Sequence, residues 1–308
     1  MKVLIAVWIS LCLWLEEAKR IPVGGQAVIE GVLMKGPEHW GLVVRTPEGG
    51  LWRKSWLGST WNKKGIWKYP LFRGVASMVE MMRIGMRALN LSAEVALGED
   101  EQIKPWEFAL SIAVAMLAVV GLFIALPVWL SDLGVKYWGL GHVGKNVLEG
   151  LLRAVIFILY VASVGIMKDI QRVFAYHGAE HKTINAYEHE APLTVESVAA
   201  FSRIHRRCGT SFLLVVVVIS IIIFSFVGDG SLLQRAAWRV GLLPVVIGLG
   251  YEFIRAASNS EGICKWLIYP ALSLQYLTTR EPDDSMIEVA IESLDLALNP
   301  ETENSRVV

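Results

Sequence analysis

The chain has 308 residues, of which 54% are hydrophobic, and a mean hydropathy of +0.47, which is too apolar for an ordinary soluble protein. Lys plus Arg and Asp plus Glu total 29 each. The chain therefore lacks the basic excess that is typical of nucleic-acid-binding proteins and the acidic excess that is typical of disordered ones. The cysteines Cys12, Cys208 and Cys264 form no C-x-x-C pair, which argues against a disulfide framework and a four-thiolate zinc site and fits a reducing compartment.

The amino-terminal region combines an apolar extension with a small polar unit. Met1–Arg20 begins with an apolar run shorter than the ~20 residues of a spanning helix and lacks a small-residue cleavage site, so we expect an uncleaved, membrane-associated extension. From Gly24 to Leu57, β-prone runs flank Thr46–Gly50, which predicts a β-hairpin. Apolar residues then recur every three to four positions from Pro70 to Leu97, which predicts an amphipathic helix packed on the hairpin or on the membrane surface. Residues 21–105 are the predicted cytoplasmic region.

Four apolar segments predict a transmembrane domain over residues 106–279. The first contains 23 residues without a charge, enough to cross a ~30 Å hydrocarbon layer. Arg153 lies near the start of the second, where we expect it to snorkel to the interface. A further stretch, Ile263–Leu277, is broken by Pro270 and predicts an interfacial or re-entrant element. The predicted spans are Phe108–Leu130, Leu148–Met167, Phe212–Val227 and Val240–Phe253.

The carboxyl-terminal region, 280–308, predicts an acidic amphipathic helix at Asp284–Leu298 followed by a polar tail. The predicted fold class is therefore mainly α: a polytopic helical membrane protein with about four transmembrane helices and a small N-terminal β-hairpin and helix region. The loop 168–211 has six Lys or Arg residues, whereas 131–147 and 228–239 have two each. The positive-inside rule then places that loop and both termini in the cytoplasm of a multi-pass cell-membrane protein.

The segment from Tyr176 to His181 carries the strongest chemical signal. His177 and His181 are four residues apart, so on a helix they lie on one face and can bind one metal ion. Glu180 lies on the same flank and would act as the general base, as in the H-x-x-E-H relatives of zinc hydrolases. The alternative interpretation is that these residues lie on an ordinary solvent-exposed helix face, where His and Glu are equally common. Because no proline lies between Met167 and Ala191, the second span is expected to continue as one helix into this motif.

Further metal ligands are expected from the segment that leads into the third span. Thr194 is placed to cap a short helix ending near Ile204, after which His205 and Cys208 precede the apolar run. An imidazole and a thiolate three residues apart form a reasonable half-site for zinc. The alternative is that Cys208 is simply buried and that His205 belongs to a basic collar for lipid headgroups.

Several carboxylates are further candidates. Glu188 shares the face of His177 but lies about 10 Å along the helix axis from His181, too far for the same ion unless the helix breaks. Glu252 ends an apolar span and needs a partner, either Arg255 or the metal site. Glu30 and Glu80 are read first as ordinary ion-pair or solvated groups.

These segments together resemble the YqhQ family of bacterial membrane proteins, which are described as predicted metal-dependent enzymes of unknown role. The similarity runs from about Ile21 to the C-terminal helix and excludes Met1–Arg20. Arg206 departs from the proline that family members commonly have there, which affects the backbone direction of His205. The resemblance implies a metal but no substrate. It is carried by Gly24–Val32, Phe72-Arg73-Gly74, His177–Glu188 and Arg207–Phe212.

The leading functional hypothesis is a zinc-type hydrolase at the cytoplasmic membrane face that uses a divalent transition metal. Its substrate would be lipid-linked or a membrane protein, and its partners would include the bilayer but no nucleic acid. The alternative is a non-catalytic membrane protein that binds a structural or transported metal or scaffolds a partner. A P-loop, a G-x-G-x-x-G fingerprint and a G-x-S-x-G elbow are absent from the sequence, so nucleotide and serine-hydrolase chemistry have no support.

Overall fold

A computed structural model describes residues 23–59, 64–97, 105–226, 232–258, 269–300 and 306–307. The extension predicted at 1–20 and the first six residues of the re-entrant element predicted at Ile263–Leu277 lie outside these ranges. Within the described residues the chain is mainly helical, with a small antiparallel sheet near its amino terminus. The predicted fold class, a mainly helical chain with several apolar helices, is confirmed.

The sheet is an antiparallel meander of β1 (Gly24–Val28), β2 (Gly31–Lys35), β3 (His39–Arg45) and β4 (Leu51–Leu57), with β5 (Arg306–Val307) beside β4. The predicted hairpin is formed by β3 and β4, which pair from Arg45 and Leu51 outward. Its turn contains Gly49 at a φ of +91°, a left-handed conformation that glycine adopts without strain.

Ten α-helices follow the chain order within the described residues. The predicted amphipathic helix is α1, and the predicted acidic helix is α10, whose first turn is capped by the Asp283 carboxylate at 2.9 Å from the Met286 nitrogen. A π-helical turn, Gly121–Ala125, joins α2 to α3. The helices are α1 Phe72–Leu97, α2 Pro105–Val120, α3 Leu126–Trp138, α4 His142–Val164, α5 Lys168–Glu188, α6 Val195–Ala199, α7 Gly209–Phe224, α8 Leu232–Ser258, α9 Gln275–Thr278 and α10 Asp284–Leu298.

The sheet lies between two helical layers. Because strand side chains alternate, Leu33 and Leu42 pack towards Ile84 of α1, whereas Val32 and Val43 belong to the core formed with α5 and α10. The contact with α10 is close: the Ser293 hydroxyl donates to the carbonyl oxygens of Val32 and Gly41, both at 2.9 Å. Three regions that are distant in sequence therefore share one core.

Three helical segments are long and apolar enough to cross a membrane, and the chain is consistent with a multi-pass membrane protein. In the most apolar 18-residue stretch of each segment, only 11 to 22% is buried within the protein. Most of these side chains therefore face outward, as lipid-facing residues do. The helix α7 has 16 residues, about 24 Å, and is shorter than a typical span. The three segments are Ala113–Trp138, Val143–Val164 and Ala237–Ala257.

The expected continuous helix from the second span into the histidine motif is wrong. The helix α4 ends at Val164, a turn follows, and α5 begins after Met167, whose ψ of 131° is extended. Gly165 closes α4, and Arg280 stabilises the break by donating from Nη2 to the Gly165 carbonyl at 3.1 Å. A helix can end here without proline because a distant arginine satisfies a carbonyl left free at its end.

The short helix predicted before His205 also ends earlier than expected. Thr194 caps α6 as predicted, with its hydroxyl oxygen 3.3 Å from the Ser197 nitrogen. The helix closes at Ala199, five residues before Ile204. The following chain is irregular instead, and Asn185 of α5 holds it by donating to the carbonyl oxygens of Ser202 and Ile204 at 2.7 and 3.1 Å.

Candidate metal centre

The helix α5 presents two imidazoles whose orientation is set by backbone carbonyl groups. The Nδ1 of His177 lies 2.8 Å from the Thr278 carbonyl oxygen, and the Nδ1 of His181 lies 2.6 Å from that of Arg203. A carbonyl oxygen only accepts, so each Nδ1 carries the hydrogen and each Nε2 keeps a free lone pair. The two rings are 4.3 Å apart at their centroids. Both Nε2 atoms are thereby available to one ligand, an arrangement typical of metal-binding histidines.

Cys208 completes the group from the start of α7. Its Sγ lies 3.3 Å from the His177 Nε2, close to the ~3.5 Å expected between nitrogen and sulfur ligands of one tetrahedral zinc ion. The candidate ligand atoms of His177, His181 and Cys208 all lie within 4.8 Å of one another, so the group could hold a metal ion. Burial raises the pKa of the Cys208 thiol, but His181 and the hydrogen bonds from Thr210 outweigh burial and leave that pKa below its ordinary value.

A buried glutamine, not singled out from the sequence, fixes the segment that carries Cys208. The side-chain oxygen of Gln275 accepts from the His205 nitrogen at 2.9 Å. Its amide nitrogen donates to the His205 carbonyl at 2.7 Å and to the Ser211 hydroxyl at 2.8 Å. Gln275 is fully buried in α9, and the one sequence signal for it is a polar amide within an apolar stretch.

His205 and Glu188, both predicted as candidates, contact each other beside the group. The His205 Nε2 lies 3.3 Å from the Glu188 carboxylate, which also pairs with Arg207. Burial lowers the pKa of His205 to about 4, so the neutral ring donates its Nε2 hydrogen to that carboxylate. The His205 ring is 5.8 Å from the His181 ring, and neither His205 nor Glu188 belongs to the His177–His181–Cys208 group.

Glu180 lies next to this group in an unusual environment. Its side chain is buried, the Gly25 backbone hydrogen-bonds to the carboxyl group, and Oε2 has no hydrogen-bond partner among the described residues. Burial raises the pKa of Glu180 to about 8, against the smaller lowering effect of His177. A Cβ at Gly25 would approach the Glu180 Oε1 to 3.0 Å, so strand β1 lies directly against this carboxyl group.

The remaining carboxylates from the sequence analysis are paired with basic side chains elsewhere. Glu30 accepts two hydrogen bonds from Arg172 of α5, and Glu252 pairs with Arg73 of α1. Glu80 is buried with Lys35 at 3.9 Å. The ion pairs of Glu30 and Glu252 connect elements that are distant in sequence.

The architecture is that of a mainly helical protein with three membrane-length apolar helices and a largely buried His–His–Cys group able to hold a metal. The chain belongs to the family described as protein of unknown function (DUF1385), which matches residues 69–300. It is 35% identical over 296 residues to the uncharacterized protein YqhQ of Bacillus subtilis (strain 168), a match that covers 90% of this chain and 92% of that protein. No solved structure matches the chain. The family resemblance inferred from the motifs is thus confirmed, and neither comparison names a reaction.

Proposed function

We propose that the protein is a metal-dependent hydrolase at the membrane surface, with His177, His181 and Cys208 as ligands of a divalent transition metal, zinc being the best match. The observation that carries the proposal is the orientation of the histidines. Two carbonyl groups from separate segments direct both Nε2 lone pairs towards the thiol of Cys208. Two nitrogen ligands and one sulfur ligand are a donor set that zinc prefers.

The number of ligands favours a catalytic site over a structural one. Structural zinc sites are closed by four protein ligands, whereas catalytic sites keep a position for water or substrate. Within the described residues the group contains three ligand residues. When bound, the metal would act as a Lewis acid that lowers the pKa of water or polarises a carbonyl or phosphoryl oxygen.

Glu180 is the proposed acid–base group. Its Oε2 is buried without a hydrogen-bond partner in the described part of the chain, so that oxygen is free to accept or donate a proton. The Gly25 backbone holds the carboxyl group on the other side. Glu180 is thus oriented by strand β1 while His177 and His181 are oriented by α9 and the 200–208 segment.

The position of the group favours a substrate that comes from the bilayer. Cys208 immediately precedes the apolar helix α7, and Thr278, which orients His177, follows the exposed apolar residues Tyr276 and Leu277. Leu213, one turn into α7, is exposed as well. These exposed apolar side chains beside the metal centre suit a lipid-linked molecule or a membrane-protein segment.

One observation favours the alternative of a non-catalytic metal site. His181 and Cys208 are 2% and 6% exposed, which is typical of ligands in closed structural sites. In that case a fourth protein ligand would complete the coordination, and Glu180 would have no role in proton transfer. Addition of azide to the cobalt-substituted protein separates the two, because only a site with an exchangeable ligand position changes its visible absorption spectrum.

Metal analysis of the purified protein tests the proposal directly. We expect about one equivalent of zinc per chain and, after cobalt substitution, a thiolate-to-cobalt absorption band that Cys208→Ala abolishes. The double variant His177→Ala/His181→Ala should lose the metal. His189→Ala is the matched control, because His189 lies one residue after α5 and is exposed. Full metal content in the double variant would contradict the proposal.

A further inference from the structure

A cluster of charged side chains lies between the spanning helices, away from the metal centre. Glu149 of α4 accepts from Arg153 at 2.7 Å with one oxygen and from Arg239 of α8 at 2.6 Å with the other. Arg153 also donates from Nε to the Phe123 carbonyl at 3.0 Å, within the π-helical turn between α2 and α3. Arg153 thus connects α4 to the turn between α2 and α3, and Glu149 connects α4 to α8.

Among the described residues, the charges of this cluster do not balance. Two guanidinium groups face one carboxylate, whose side chain is only 3% exposed, so one positive charge is left in excess within that part of the chain. The nearby Lys145 is neutralised by Asp132. Such an excess is costly in an apolar layer unless an anion compensates it.

The arginines also keep hydrogen-bond donors that could reach such an anion. Within the described part of the chain, Arg153 uses two of its five N–H donors and Arg239 uses one. Their side chains are 16% and 14% exposed, so the cluster is open to its surroundings on at least one side.

The depth of the cluster places it close to lipid headgroups. Gly150, next to Glu149, packs against Ile221, less than one turn before α7 ends at Phe224. Exposed Tyr137 and Trp138 end α3, and exposed Trp238 immediately precedes Arg239. Tyr and Trp are enriched at the boundary between hydrocarbon and headgroups. The cluster thus lies near that boundary, at the end of the helices opposite to Cys208.

We propose that Arg153 and Arg239 bind the phosphate of an anionic phospholipid at this position. A phosphodiester carries a single negative charge, which equals the excess charge of the cluster. Guanidinium groups bind phosphate oxygens through paired charge-assisted hydrogen bonds. The proposal is independent of the metal centre, because the two sites lie at opposite ends of α7.

The test uses the full-length protein in nanodiscs of phosphatidylcholine with increasing phosphatidylglycerol, and native mass spectrometry counts the retained lipid. We expect saturable retention of phosphatidylglycerol by the wild type. Arg239→Gln should weaken retention about tenfold, the size of one charge-assisted hydrogen bond. Glu149→Gln raises the excess positive charge and should strengthen retention. Lys136→Gln, which removes an exposed charge from the same end of α3, should leave retention unchanged.

The opposite effects of the two cluster variants keep the test decisive even when a variant lowers stability. Loss of retention in both Arg239→Gln and Glu149→Gln, or no loss in Arg239→Gln, would overturn the proposal and leave the cluster a structural contact. A parallel series adds inorganic phosphate to pure phosphatidylcholine nanodiscs and follows thermal unfolding of the protein. Stabilisation there, equal to that given by phosphatidylglycerol, would show that the site takes the free ion and not a lipid.

Discussion

Single hydrogen bonds decide which atoms of the metal centre are available. His177 and His181 each donate from Nδ1 to a backbone carbonyl and so present Nε2, whereas His205 donates from Nε2 to Glu188. The spacing of the motif predicts the His177–His181 pair, because two residues four apart on a helix are neighbours. The choice of Cys208 over His205 depends on hydrogen bonds to distant residues and does not follow from spacing.

At the scale of single residues, the variant Glu180→Gln distinguishes a catalytic metal site from a non-catalytic one. Gln keeps the shape of the side chain but cannot act as a base, so the variant should keep its metal and lose about 10²- to 10⁴-fold in turnover. The measurement combines metal content with rescue of cells that depend on the protein. Glu196→Gln, on the exposed first turn of α6, is the control and should rescue fully. Full rescue by Glu180→Gln would exclude the proposed acid–base role.

At the scale of elements, the position of α5 depends on close backbone contacts. A Cβ at Gly178 would overlap the carbonyl oxygen of Arg280, in the segment that follows Thr278. The same segment donates from the Arg280 nitrogen to the Phe174 carbonyl at 2.8 Å. Glycine at 178 therefore lets this segment approach α5 closely enough for the Thr278 carbonyl to orient His177.

Gly178→Ala should destabilise the protein by about 1 to 3 kcal/mol, the usual range for overpacking, and should weaken metal binding. Thermal unfolding and zinc titration of the detergent-solubilised protein measure the two effects. Gly144→Ala in α4 is the matched control: its Cβ would meet only ordinary contacts at 3.5 Å or more, so helix propensity predicts unchanged or higher stability. Wild-type stability and zinc affinity in Gly178→Ala would contradict this account of the packing.

The whole molecule has two ends that are defined by contacts between helices. Asn146, near the start of α4, donates to the Phe224 carbonyl at the end of α7 at 3.2 Å, so α7 extends to the same level as α4 despite its 16 residues. At the other end, Arg73 at the start of α1 pairs with Glu252 in the last two turns of α8. From this arrangement we expect α7 to be a fourth crossing, with the sheet, α5 and α10 on one side of the membrane.

Reporter fusions test this membrane topology and the orientation that the positive-inside rule predicts. The loop between α3 and α4 is Gly139–Gly141, so a fusion after Leu140 should report the outside of the cell, and fusions after Glu190 and Asn299 should report the cytoplasm. Alkaline phosphatase and green fluorescent protein at the same positions give complementary signals. An external signal at position 190 would contradict the predicted cytoplasmic side of the metal centre.

Local patterns were enough to predict the β3–β4 hairpin, α1, α10 and the apolar helices, because hydrophobic period, capping residues and turn glycines act over a few positions. They also predicted the family and the His177–His181 pair. The contact of Cys208 with His177 joins residues 31 positions apart, and the carbonyl that orients His177 lies 101 positions away. The break after Val164, the role of Gln275 and the Glu149 cluster likewise depend on partners from distant segments. Only the folded chain decides such pairs, because a buried polar group takes whichever partner the packing of distant elements brings within hydrogen-bond reach.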